Sequence, residues 1–519
     1  MRKAKIFYFS LKEQGDKAKK INWFNSVDFK KIDFDQIQPD AKANWINLTN
    51  NDFDNFLPLV NQEVKAGKSE EAIFQLFSAG VKTQRDEWVY DFSKESLIEK
   101  VKYLIDAYME KMLEGKTREF DIKWDAETTQ YLNRKISKTF QVSQVVKSLY
   151  RPYIKRYFYF DKHFNGRTYQ MYNIFPNNLT DNQMIGFMGQ STDKPFSVIA
   201  SSLVTDLNCI SPASGGTQCL PLYRYDQEGN RLENITDWGL KQFQTHYTDQ
   251  TITKENIFHY VYAVLHNPDY RQKYEQNLKR DFPRIPLYDD FFQWVEWGQK
   301  LMDLHINYET IEPYPLKRVD IAVDPPLTPL KNGIDPPLTP LKKGGVYSVK
   351  AKLKADKIAN KIILDDITTL ENIPQIAWEY KLGNRSALEW ILDQYKEKKP
   401  KDPTIAEKFN TYRFADYKEQ VIDLLTRVCT VSFETMQIIQ FMDAIYEDKY
   451  REPSAELAPY LKHYGRSKAE QIQINQKGLA MLRRWREEKL SDEDLKEAET
   501  TWEEVKKSID KNRSRKLFS

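Results

Sequence analysis

From residue 150 the chain reads Tyr-Arg-Pro-Tyr-Ile-Lys-Arg-Tyr-Phe-Tyr-Phe-Asp, and within this run Tyr153, Lys155, Tyr157 and Tyr159 alternate with Ile154, Arg156, Phe158 and Phe160. A two-residue period sends successive side chains to opposite faces of a strand, so residues 153–160 are predicted to form one strand with a core face and a dissimilar second face. Asn165-Gly166 supplies turn residues for a tight hairpin. The returning strand would carry Arg167, Tyr169 and Met171 on one side and Thr168, Gln170 and Tyr172 on the other. Arg151, Lys155, Arg156, Lys162 and Arg167 then share a short arc opposed only by Asp161. Cations interleaved with tyrosines offer charge for phosphates and hydrogen-bonding groups for bases. The same pattern is ordinary in exposed antiparallel sheets, so the residues alone leave both readings open.

The rest of the composition sets bounds. Lys and Arg number 78 against 75 acidic residues, a net charge of +3, so any basic surface must be local. At 519 residues, 40% of them hydrophobic, the chain is long and apolar enough for about two to four domains with their own cores. Cys209, Cys219 and Cys429 are odd in number and lack a CxxC spacing, which points to a reduced, cytoplasmic compartment and away from a disulfide framework or zinc knuckle. No window reaches the roughly 20 apolar residues of a membrane span. The predicted fold class is mixed α/β (α+β), an aromatic-rich antiparallel sheet with helical subdomains and a short helical C-terminal tail.

Residues 4–10 read as a strand with no earlier strand to pair with, as though a preceding sheet were missing. Asp86 to Phe92 alternate like a half-buried strand, and Gly80 marks a turn or a close backbone approach. Ser93 is an N-cap for an amphipathic helix to about Leu113, whose stripe of Leu97, Val101, Leu104, Ile105, Tyr108 and Met112 is core. Strands are expected over 185–202 and 218–225, joined through the Ser-Pro-Ala-Ser-Gly-Gly loop at 211–216. From residue 253 the period becomes 3.6, giving helices over 255–266, 269–281 and 289–309 that carry His259, His266 and His305 without carboxylates at metal-ligand spacing. Helices are also predicted over 386–395, 416–428 and 432–443, with short strands over 346–376. The tandem Asp-Pro-Pro-Leu-Thr-Pro-Leu-Lys at 324–345 cannot continue a helix or central strand and reads as an inserted loop. Asp-Pro-Pro-Leu imitates the Asn/Asp-Pro-Pro-aromatic motif of amino-group DNA methyltransferases, but Leu327 and Leu338 have no ring to stack on a flipped base. Asn267-Pro268-Asp269-Tyr270 is a second near match, better explained as a helix boundary.

Four ordered stretches carry a family resemblance. They are Phe77-Ser78-Ala79-Gly80-Val81-Lys82-Thr83-Gln84-Arg85-Asp86-Glu87-Trp88-Val89-Tyr90, then Tyr150-Arg151-Pro152-Tyr153 with its aromatic strand, then Tyr260-Val261-Tyr262-Ala263-Val264-Leu265-His266-Asn267-Pro268-Asp269-Tyr270-Arg271, and Lys279-Arg280-Asp281-Phe282-Pro283-Arg284-Ile285-Pro286-Leu287. Over residues 4–443 the chain resembles the C-terminal, target-recognition part of Type ISP restriction-modification enzymes, single chains that join a nuclease, a helicase-type motor, an adenine methyltransferase and a recognition domain. The resemblance implies a strand and linker region at 1–92 that would follow a methyltransferase domain, a helical connector at 93–145, a recognition domain at 146–446 and a charged helical tail at 447–519. It implies sequence-specific binding of double-stranded DNA, with Arg151, Lys155, Arg156 and Arg167 along or in the groove and Lys82, Arg85 and Arg224 as further contacts. The catalytic signatures of the family have no counterpart here: no Phe-x-Gly-x-Gly loop, no credible Asn-Pro-Pro-Tyr, no Walker lysine loop. S-adenosylmethionine, ATP and Mg would therefore belong to partner domains, and a methyltransferase or helicase-nuclease polypeptide would act in trans, docked at the N-terminal strand. The alternatives are an adenine methyltransferase completed by a separate chain, a protein-binding scaffold, or a decayed fragment.

Overall fold

The computed structural model describes residues 5–9, 17–39, 43, 45, 49, 51–114, 122, 124–192, 194–211, 215–321 and 350–450. The proline repeat and the charged tail after residue 450 lie outside these. Residues 1–444 form one compact unit.

Two four-stranded sheets organise that unit. In the first, the hairpin Val145–Arg151 and Ile154–Tyr159 is flanked by Tyr90–Asp91 on one edge and, in parallel, by Val204–Thr205 on the other. In the second, fully antiparallel sheet, Ser78–Ala79, Thr217–Pro221, Met184–Met188 and Val198–Ser201 are neighbours in that order. The segment 78–91 thus supplies an edge strand to both. A third sheet, Lys317–Asp320, Thr368–Glu371, Lys361–Asp365 and Ala351–Asp356, follows later in the chain. The helix Lys94–Glu114 starts at Ser93, whose Oγ accepts from the Ser96 amide at 3.2 Å, and its predicted stripe is buried from Leu97 through Tyr108. It packs with the first sheet and the 387–394 helix into one apolar core, while the second sheet joins the helices Lys254–Val264 and Phe291–Ile306 in another. The expected mixture of antiparallel sheets and helices is what the chain forms.

Several local expectations are revised. Residues 153–160 do not make a strand with one open face: Phe158, Tyr159 and Phe160 are all buried, so neighbouring elements cover both sides. The hairpin turns earlier, at Pro152-Tyr153, where Tyr153 takes a left-handed backbone (φ 61°) usually reserved for Gly or Asn. Its ring is fully buried and its hydroxyl meets that of Tyr380 at 2.8 Å, contacts that hold the turn. Asn165-Gly166 makes no hairpin. The Asp161 side chain accepts from the amides of His163 and Phe164, and Asn165 Nδ2 donates to the carbonyls of Tyr159 and Asp161, so the chain leaves the sheet in a knot of local side-chain bonds. Residues 86–92 divide into a helical turn, Asp86–Val89, and the short strand Tyr90–Asp91. The two helices expected at 416–428 and 432–443 are one, Lys418–Tyr450, because Ser432 Oγ donates to the Val428 carbonyl inside the helix instead of capping a new one. The strand Ile6–Tyr8 is not unpaired, since it runs antiparallel to Asp35–Ile37.

Candidate nucleic-acid interface

The cations singled out in the sequence separate into two groups. Arg151 is only 8% exposed. Its Nη1 donates to Asp206 Oδ1 at 2.7 Å, its Nη2 lies 3.9 Å from Asp86, and the guanidinium stacks 3.9 Å from the Tyr150 ring centre. The Tyr150 hydroxyl donates to Asp86 at 2.8 Å, and Thr83 Oγ1 also bonds Asp86. Burial is the largest influence on both members of the central pair. It pushes the Asp206 carboxyl up to about 6 against the pull of Arg151, and it opposes the Arg151 charge that Asp206 favours. Removing one partner of such a pair strands a buried charge, which costs about 3–5 kcal/mol.

The neighbouring cations are similarly engaged. Arg85 is buried against Asp125 and donates to Thr128 Oγ1 at 2.7 Å. Arg156 lies between the rings of Phe92 and Tyr150, 4.4 and 4.2 Å from their centres. Lys155 Nζ bonds Glu309 at 2.8 Å and sits 4.7 Å from the centre of the Tyr308 ring. Asp161, expected to oppose the arc, pairs with Lys138 at 3.1 Å. Arg151 and Arg156 were expected along or in a groove and Arg85 as a further contact; the structure places them instead in the packing between the first sheet and its surroundings, because each found an acidic or aromatic partner there.

Lys82 and Arg167 are different. They form an antiparallel bridge through two 2.8 Å main-chain bonds, Lys82 N to Arg167 O and Arg167 N to Lys82 O. Both side chains are exposed, and residues directly opposed in such a pair project to one face. The bridge is held from behind. Val81 N donates to Thr205 O, Leu207 N donates to Val81 O, and a Cβ on Gly80 would stand 2.6 Å from the Asp206 carbonyl. Gly80 is thus the close approach its type predicted, and it joins the motif at 77–90 to the strand bearing the partner of Arg151. Two exposed side chains not among the predicted contacts flank the bridge, Gln84 and Tyr169, both in left-handed backbone (φ 62° and 48°). Nothing in hydrophobic periodicity signals such a conformation in a residue other than glycine. Arg224 stands apart on the hairpin Tyr223–Tyr225 and Arg231–Glu233, half-buried, with its Nε lacking an acceptor.

The three histidines singled out in the sequence, His259, His266 and His305, are interior. His305 Nε2 meets Thr435 Oγ1 at 2.9 Å and the Tyr380 hydroxyl at 3.2 Å, while its Nδ1 bonds the Tyr262 hydroxyl. Burial, with Arg271 adding to it, pulls the His305 imidazole down to about 3, and burial likewise holds His266 well below its ordinary range. Asn267 caps the helix Pro268–Lys273 by accepting from the Tyr270 amide at 2.8 Å, so Asn267-Pro268-Asp269-Tyr270 is a helix start. Cys209, Cys219 and Cys429 are free thiols and buried. Among the described residues no helix is long and apolar enough to cross a membrane.

The two joined sheets, their covering helices and the ordered motifs belong to a DNA-restriction class of fold: the family model for the Type ISP C-terminal specificity domain matches residues 72–424, and the chain belongs to that family. Among solved structures it is similar to the chain in the cryo-electron microscopy structure of the DrdV–DNA complex, with 44% identity and a TM-score of 0.73 over 84% of this chain and 43% of that one. The ATP-dependent Type ISP restriction-modification enzyme LlaBIII bound to DNA is 28% identical, with a TM-score of 0.65 over 79% of this chain and 26% of that one. A nuclease-deletion mutant of the Type ISP enzyme LlaGI, in complex with a DNA substrate mimic, is also 28% identical, with a TM-score of 0.61 over 79% of this chain and 30% of that one. The chain therefore spans less than half the length of each. No curated protein sequence matches it.

Proposed function

We propose that this chain selects a specific sequence in double-stranded DNA as the specificity portion of a bacterial restriction-modification system, and that it performs no reaction itself. One observation carries the reading: family membership over residues 72–424, together with similarity to a 44% identical chain whose structure was solved with DNA. The exposed Lys82–Arg167 bridge gives that reading a surface. An arginine free of internal partners can hold guanine O6 and N7 together, and a lysine beside it can neutralise a phosphate. Arg224, half-buried on its hairpin, is a further contact, while Arg85, Arg151, Arg156 and Lys155 support the frame.

Methyl transfer or cleavage would come from another polypeptide or domain, which would also hold S-adenosylmethionine, ATP and Mg. The exposed aromatic side chains at the N-terminal end, Phe7, Phe24, Phe29 and Trp45, support a docking face there. To test the recognition reading, the full chain is incubated with a randomised duplex library at moderate salt with heparin as competitor, and the bound fraction is sequenced. Enrichment of one motif is expected. Equal recovery of all sequences, or complete displacement by heparin, would reject it.

A further inference from the structure

We infer that Gln84 is a base-reading residue, set beside Arg167 so that the pair reads an adenine next to a guanine; this rests on the DNA-recognition reading above. Gln84 is exposed, and its backbone lies in the left-handed region (φ 62°), a conformation that is strained for a residue with a Cβ and persists where the surroundings over-determine it. What directs its side chain is Gly166. A Cβ there would lie 2.7 Å from Gln84 Nε2, 2.8 Å from Cγ and 2.9 Å from Cδ, so the glutamine lies flat over the residue immediately before Arg167. The Gly166 amide donates to Thr83 O at 3.2 Å, and the adjoining Lys82–Arg167 bonds fix the two segments against one another. The result is a carboxamide and a guanidinium on adjoining segments, next to an exposed lysine. These are the two side-chain groups that make bidentate contacts to a purine in the major groove, the amide to adenine N6 and N7 and the guanidinium to guanine O6 and N7.

Library selection on the full chain tests this with three variants. Gln84→Ala should abolish the preference at one position that the parent protein reads as adenine, a loss of discrimination on the order of ten- to a hundred-fold, and leave the neighbouring guanine selected. Gln84→Glu should move that position toward cytosine, whose N4 amino group donates to a carboxylate. Gly166→Ala keeps the glutamine but displaces it, and should reproduce the Gln84→Ala motif in a protein whose thermal unfolding is close to that of the parent. An unchanged motif in all three, or affinity lost evenly over every sequence, would overturn the assignment while leaving DNA recognition standing. If the parent protein itself enriches no motif, recognition fails and the assignment falls with it.

Discussion

The cations of the 150–160 hairpin and those of the 82–167 bridge are drawn from the same residue types, and the bridge follows shortly after an edge strand of the second sheet, yet they face opposite demands. Arg151 spends its donors on Asp206 and Tyr150, and Arg156 is clamped between aromatic rings. Lys82 and Arg167 are joined only through their main chains and leave their side chains to solvent. A basic, tyrosine-rich run is therefore not in itself a nucleic-acid surface. What matters is whether its charges already have partners inside the fold. Here the strongest sequence motif is the frame, and the candidate reading groups sit where that frame comes to the surface.

The sharpest way to break this contrast is Arg151→Ala, which should lower the unfolding free energy by about 3–5 kcal/mol in urea denaturation, since Asp206 is left buried and unpaired. Replacing both, Arg151→Met with Asp206→Leu, should recover most of that loss. If Arg151→Ala instead unfolds like the parent and only weakens DNA binding, the frame assignment is wrong. The second test is acidification. Because folding depresses the His305 imidazole from its ordinary 6.5 to about 3, the folded protein binds fewer protons than the unfolded chain between those values. Its stability contribution is present above pH 6.5 and should fall by about 1.4 kcal/mol per pH unit as the pH drops toward 3. Urea midpoints measured from pH 7 to 5 should fall in this direction, with His266 adding to the slope, and His305→Gln should shallow it. Arg167→Ala comes next: about 1–3 kcal/mol of discrimination lost at one base position, with stability changed by less than about 0.5 kcal/mol. Lys82→Ala should weaken binding to all sequences alike and reduce the salt slope by about one. The smallest effect is expected from Lys155→Ala. Its pair with the half-exposed Glu309 contributes about 0–1 kcal/mol, and the salt slope of DNA binding should not move; a fall of one would return Lys155 to the DNA surface.

Much of the fold could be read from residue patterns. The stripe from Leu97 to Tyr108 gave its helix because period and cap agree, and Gly80 announced a close approach that the Asp206 backbone supplies. The hairpin was located but its ends were misplaced. Asn-Gly is a strong turn signal, yet the Asp161 and Asn165 side chains claimed the nearby backbone groups first, and Tyr153 accepted a glycine-like conformation because its buried ring held it there. Which cations are free was not legible at all, since the partners of Arg85 and Arg151 lie 40 and 55 residues away in sequence.

The bridge between residues 82 and 167 consists wholly of peptide groups, so it asks nothing of the side chains it presents. If the proposed interface is right, substitutions there would alter which duplexes are chosen without disturbing how the chain folds. On the proposed reading, retargeting this chain would then be a matter of exchanging a few surface letters.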